Sequence, residues 1–143
     1  MSVTELLAEG LPPGVYRWNS AEPAEAVERE AVEAGWTYTL LDTTGVLDKA
    51  GFLDTCATAF DLPRWFGRNW DALADSLGDR GTGEPELVLW EGWQHLLDAD
   101  HDTVAVALQI FGEDAKESGQ LRILMRLPGD AEVPCLLVGL PAV

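Results

Sequence analysis

Basic residues are scarce in this chain. Nine Lys and Arg stand against 25 Asp and Glu, a formal charge of −16. A surface that grips nucleic-acid phosphate needs clustered cations, and a site on an anionic membrane needs the same. Neither is expected as a direct partner, and a basic partner is favoured. Cysteine is nearly absent too. Cys56 and Cys135 lie far apart, without CxxC or Cys/His ligand spacing. That is too few for a disulfide framework, so both are expected as buried free thiols. Histidine is limited to His95 and His101. There is no Gly-x-Ser-x-Gly elbow, HExxH or phosphate-cradling glycine loop. The glycines of Gly81-Thr82-Gly83 precede a strand rather than a helix, which is the wrong context for a dinucleotide. Both histidines are expected on the surface without catalytic partners, and no enzyme activity or cofactor is expected. No apolar run approaches the roughly 18–20 residues of a membrane span. The acidic first ten residues lack a basic n-region before an apolar stretch, so a cytoplasmic location is expected.

What remains is ample for a fold. The chain has 143 residues and is 47% hydrophobic. That apolar content separates it from disordered acidic chains, and the length fits one domain of about 100–200 residues. The expected organisation is a single domain over 1–143, with no repeats, low-complexity segments or long linkers.

The pattern alternates strands and helices. Val15–Trp18 reads as a strand. Ala24–Ala34 reads as a helix with Val27 and Ala31 on its apolar face, closed by Gly35. Trp36–Asp42 is the next strand, and such a β-α-β start implies parallel strands. Asp48 caps a helix to Phe60, and Asn69 caps a second from Trp70 to Leu77, where Gly78 is expected to stop it. Glu86–Glu91 is a strand and Trp93–Asp98 a short helix. Asp102 is expected to cap the long helix Thr103–Ser118. Leu121–Leu127 is the last clear strand, and Val133–Leu140 reads as a further one. The fold class is α/β with a mostly parallel sheet.

The segment Leu62–Leu77, LPRWFGRNWDALADSL, carries the chemistry. Asp71 and Asp75 are spaced i,i+4 and share one helix face, where like charges cost about 0.2–0.5 kcal/mol. Asp71, in the first turn, recovers part of that from the helix dipole. Leu73 and Leu77 supply the buried side, so the carboxylates face solvent or a partner. Three readings fit them. One is a solvated acidic face. Another is a Mg²⁺ or Ca²⁺ site completed by Glu113, as a metal-dependent hydrolase would use. The third is a protein-binding surface flanked by Trp65 and Trp70, although each Trp taken alone reads as core.

The same segment resembles the barstar family of intracellular ribonuclease inhibitors. The run Leu62-Pro63-Arg64-Trp65-Phe66-Gly67, then Asn69, then Asp71-Ala72-Leu73-Ala74-Asp75 follows the family motif without gaps. A Leu-Val-Leu strand (Leu87–Leu89) follows, then Leu108-Gln109-Ile110-Phe111-Gly112-Glu113 and the apolar strand Ile123–Met125. The likeness spans about 37–127. It implies a small three-layer fold whose sheet has three or four strands, with 1–36 as a β-α extension whose strand would be a fourth parallel one at an edge, and 128–143 as a C-terminal extension.

The resemblance also implies inhibition without catalysis, without cofactor or metal, by a chain that is monomeric when free. The partner would be a basic, barnase-type ribonuclease, met by Trp65, Gly67, Asn69, Trp70, Asp71, Ala74, Asp75 and Glu113. Asp75 would sit where RNA phosphate sits, among the enzyme's cations, because a carboxylate pairs with groups already arranged for phosphate. Asp71 would add a second carboxylate contact, Trp65 would stack near the catalytic histidine, and Glu113 would pair with an outlying Arg. Long-range attraction would speed encounter. Three features depart from the founding member. Ala74 replaces a Trp, Trp70 replaces a Leu, and Arg64 and Arg68 replace acids. The two arginines would weaken the local negative potential. The alternative is the same fold binding a different basic partner, for example as an immunity protein.

Overall fold

In a computed structural model, the structure describes residues 1–63, 65–80 and 83–143; the expectations for Arg64 and for the Gly81-Thr82 turn lie outside these residues. The chain forms α1 (Val3–Ala8), β1 (Gly14–Asn19), α2 (Ala24–Glu33), β2 (Thr37–Asp42), α3 (Lys49–Ala59), α4 (Trp70–Asp79), β3 (Glu86–Glu91), α5 (Trp93–Ala99), α6 (His101–Ser118) and β4 (Leu121–Leu127). A single 3₁₀ turn, Cys135–Leu137, follows.

The sheet has four strands in the order β1-β4-β3-β2, and every pairing is parallel. The β1 and β2 strands of the expected β-α-β start are therefore parallel but occupy opposite edges. The N-terminal strand extends the sheet beside β4, as the fourth parallel strand. Alternation along each strand sorts side chains into two layers. Leu87, Leu89, Tyr16, Trp18 and Leu124 pack with α1 and α2. Val88, Trp90, Val15, Ile123 and Met125 pack with α3 through α6. Each fully buried Leu or Phe contributes about 1.5–3 kcal/mol relative to exposure. On the second face Phe52, Trp90 and Phe111 cluster at centroid distances of 5.6–6.3 Å. Buried indoles find acceptors: Trp90 Nε1 donates to Thr43 Oγ1 at 2.9 Å, and Trp18 Nε1 to the Met1 carbonyl at 2.9 Å.

Four expectations are corrected. The first concerns α4, which runs through Gly78 to Asp79. Gly78 is exposed with helical φ, and a mid-helix Gly costs only about 1 kcal/mol, too little to end a helix whose Leu73 and Leu77 are buried. The second is the cap of α6, which is Asp100 and not Asp102. The Asp100 carboxylate accepts both the Thr103 N–H at 3.2 Å and its hydroxyl at 2.8 Å, which leaves Asp102 in the first turn, where the helix dipole favours it. The third is Val133–Leu140, which is not a strand. Pro134 and Pro141 have no donors for a ladder, and the tail buries Leu137 instead. Its backbone meets the sheet at Arg17, whose N–H donates to Pro141 O at 2.8 Å and whose carbonyl accepts the Val143 N–H at 2.9 Å, and whose Nε donates to Leu140 O at 3.0 Å. The fourth is Cys135, which is exposed. Cys56 is buried as expected, and burial pushes its thiol pKa far up. Helix α1 was not expected, although Ser2 with Glu5 three residues on is a capping pattern, and Ser2 Oγ does accept the Glu5 N–H at 3.2 Å.

Candidate partner-binding face

The face begins where α3 ends. Leu62 and Phe66 are buried and anchor the connection to the core. The Phe66 N–H donates to Pro63 O at 2.9 Å, so the chain turns there with Phe66 inward. Trp65 goes the other way and is 84% exposed, which overturns its reading as core. Gly67 is exposed, and a Cβ on it would lie 3.2 Å from Asn69 Nδ2. Asn69 then caps α4, its Oδ1 accepting the Ala72 N–H at 2.8 Å. That bond contributes about 1 kcal/mol and sets the helix rotation.

With Leu73 and Leu77 turned inward, Asp71, Ala74, Asp75 and Asp79 all face out. Because α4 reaches Asp79, the i,i+4 pair becomes a stripe of three carboxylates. Trp70 is half-buried, 5.9 Å from the Phe52 ring and with Lys49 Nζ 5.3 Å from its own ring centroid. Its aromatic surface is largely committed to the core. Glu113 is exposed on α6, which packs against α4; it accepts a hydrogen bond from Gln109 at 3.3 Å. The structure thus gathers Trp65, Gly67, Asn69, Trp70, Asp71, Ala74 and Asp75 along one continuous stretch, with Glu113 on the neighbouring helix.

The described cations beside this face are engaged. Arg68 pairs with Asp54 of α3, Arg80 pairs with Glu86, and Lys49 covers Trp70. Arg68 therefore opposes the stripe less than its position in sequence suggests. That pairing spans fourteen residues and leaves no local signal. The reach of the stripe to Asp79 was within view, since only Gly78 argued against it. His95 and His101 are both exposed. Among the described residues, no group of three or more His, Cys, Asp or Glu is placed to hold a metal.

Carboxylates held outward on a helix, with an exposed indole in the turn before it, offer charge and flat apolar area to another macromolecule, and such a protein is an interaction module. The family model described as Barstar (barnase inhibitor) matches residues 36–128. The chain belongs to the barstar family, whose members are inhibitors and not enzymes. No curated protein matches it. No helix among the described residues is long and apolar enough to cross a membrane.

Proposed function

We propose that this protein binds a basic, barnase-type ribonuclease and blocks its active site with the α4 face. The observation that carries the reading is the outward stripe Asp71, Asp75 and Asp79, headed by an indole that is 84% exposed within the family-matched region. Asp75 takes the place of an RNA phosphate and is held by the cations that would hold it. Asp71 adds a second charged contact, Trp65 covers the rim of the nuclease cleft, and Glu113 pairs with a cation outside it. Gly67, Asn69, Trp70 and Ala74 shape and support that surface. An immunity role in the cytoplasm of a cell that makes the nuclease follows from this chemistry.

The test is titration of the protein against barnase-type ribonucleases with RNA cleavage as the readout. Stoichiometric loss of cleavage is expected. Asp75→Ala should weaken inhibition by roughly 10²–10⁴-fold, since removing one partner of a desolvated ion pair costs about 3–5 kcal/mol. Undiminished cleavage at excess protein overturns the proposal. One observation favours a second reading, the same face on a different basic partner. Ala74 is exposed and small where the founding member carries a Trp, so the surface opposite it need not be barnase itself. A pull-down returning a basic protein without nuclease activity, lost in the Asp71/Asp75 double alanine variant, selects this reading.

A further inference from the structure

A second site lies at the opposite end of α4. Helices α3, α4 and α6 end around one cavity of about 260 Å³, closed on the sheet side by the first residues of β2 and by Glu86. Each helix C-terminus contributes a partial negative charge. Three carboxylates line the same space, Asp61, Glu86 and Asp114, against one guanidinium, Arg80.

The guanidinium is already committed. Arg80 Nη1 and Nη2 donate to the two Glu86 oxygens at 3.1 and 2.6 Å, its plane lies 4.8 Å from the Phe60 ring, and Thr39 Oγ1 donates to the same carboxylate at 3.0 Å. Glu86 is thereby satisfied. Asp114 has no such partner: it accepts no hydrogen bond and makes no ion pair among the described residues, and it stands half-buried at the cavity wall, open to an incoming group. Burial raises its carboxyl pKa, with Arg80 pulling the other way and Glu86 and Glu117 adding to the rise. The cavity is smaller than the roughly 300–1,000 Å³ of sites for whole metabolites. It has the room of one charged head group on a short carbon stem.

We propose that this cavity receives one ammonium or guanidinium group, with Asp114 as its counter-ion and the three helix C-termini as its electrostatic surround. Arg80 on Phe60 is the fold's own example of a guanidinium held there. The group can come from a small organic cation or from a Lys or Arg side chain of a docked protein. The first source is independent of the ribonuclease reading, so the two proposals fail separately.

The experiment is amide NMR of the full chain at constant ionic strength, titrated with methylguanidinium or propylammonium chloride. Saturable shifts centred on Thr39, Ser118 and Gln120 are expected. Asp114→Asn should weaken binding at least about tenfold, because a charge-assisted pair is lost, whereas Asp98→Asn on exposed α5 should change nothing. Burial disfavours the Asp114 charge, so Asp114→Asn should melt no lower than the parent, and lost binding is then not lost folding. As a second measurement, Gln120→Lys places an ammonium at the cavity from within; its melting temperature should rise, and the rise should vanish when Asp114→Asn is added. Weak, unsaturable shifts spread over the acidic surface, equal in both Asn variants, overturn the proposal. In a complex with a basic protein partner, exclusion of methylguanidinium assigns the group to the partner's side chain, and uptake assigns it to a free cation.

Discussion

Arg68 reaches across fourteen residues to Asp54, donating from Nε to Oδ1 at 2.5 Å. The contact ties the loop before α4 to the outer face of α3. Arg68 holds φ at +47°, a conformation that side-chain-bearing residues rarely adopt, so the loop bends sharply to make it. The arginine that precedes the stripe is thereby paired with an acid outside it.

Removing that acid should separate stability from recognition. Both side chains are more than half exposed, and such pairs contribute about 0–1 kcal/mol. Asp54→Asn should shift the urea midpoint only slightly. It should slow association with a basic partner at low salt, since a freed cation then stands beside Asp71. Arg68→Ala should do the reverse. Stopped-flow association rates across an ionic-strength series check both signs, and the difference should fade as the Debye length shrinks.

The two tryptophans of the face should behave oppositely. Trp65→Ala removes a ring that is 84% exposed and should leave stability within about 0.5 kcal/mol while weakening partner binding. Trp70→Ala removes a ring packed on Phe52 and should cost on the order of 2 kcal/mol, below the 3–5 of a fully buried aromatic. Paired denaturation and binding measurements on the two variants decide this.

Two glycines predict opposite stability changes. Gly92 has φ +71°, and a Cβ there would stand 2.2 Å from Thr44 Oγ1 and 2.4 Å from its backbone nitrogen. Backbone cannot yield as a side-chain tip does, so Gly92→Ala should destabilise by at least about 2 kcal/mol. Gly112 lies inside α6, and a Cβ there would meet nothing within 4 Å. Gly112→Ala should stabilise by about 0.5–1 kcal/mol. Urea unfolding of each variant reads both.

The remaining prediction concerns pH. Glu22 accepts the Val3 N–H at 3.0 Å. Burial raises its pKa above 4.5; the Val3 bond and Arg126 partly oppose the rise, and Glu30 adds to it. The folded state therefore holds the proton more tightly than the unfolded one. The resulting stabilisation is full below about pH 4.5 and is lost as pH rises through the raised folded value. Glu22→Gln keeps the acceptor and removes the charge. It should be more stable than the parent at pH 7, with the gap closing in acid, as denaturation at a series of pH values will read.

The sheet was legible because its strands are short, apolar and well punctuated. Glu86–Glu91 and Leu121–Leu127 stand where their Leu-rich apolar runs put them. Elements settled by tertiary context were less legible. The end of α4 depends on how deeply Leu73 and Leu77 are buried, which outweighs the local cost of Gly78. Asp100 outcompetes Asp102 because Thr103 offers it two donors. The tail looked like a strand because its residues are apolar, but the free β1 edge takes only a single bridge from it. On the binding face, the Asp spacing and the Asn69 cap are local and were visible. The outward turn of Trp65 was visible only through the family resemblance, because residue type alone sends Trp inward; here Phe66 occupies the inner place.

The strand order has a consequence in time. β1 leaves the ribosome before the other three strands, yet its ladder partner is β4, residues 121–127, and its other edge is met by residues 141–143. The strand made first is therefore paired last. Until β4 emerges, the indole of Trp18 and the ring of Tyr16 have no completed sheet beneath them, and α2 has only part of its floor. Closure of so distant a contact slows folding, while β2, β3 and the helices between them can associate earlier. During synthesis, the segment that carries Asp71 and Asp75 thus precedes the strand that completes the sheet, and β1 joins only once β4 is out.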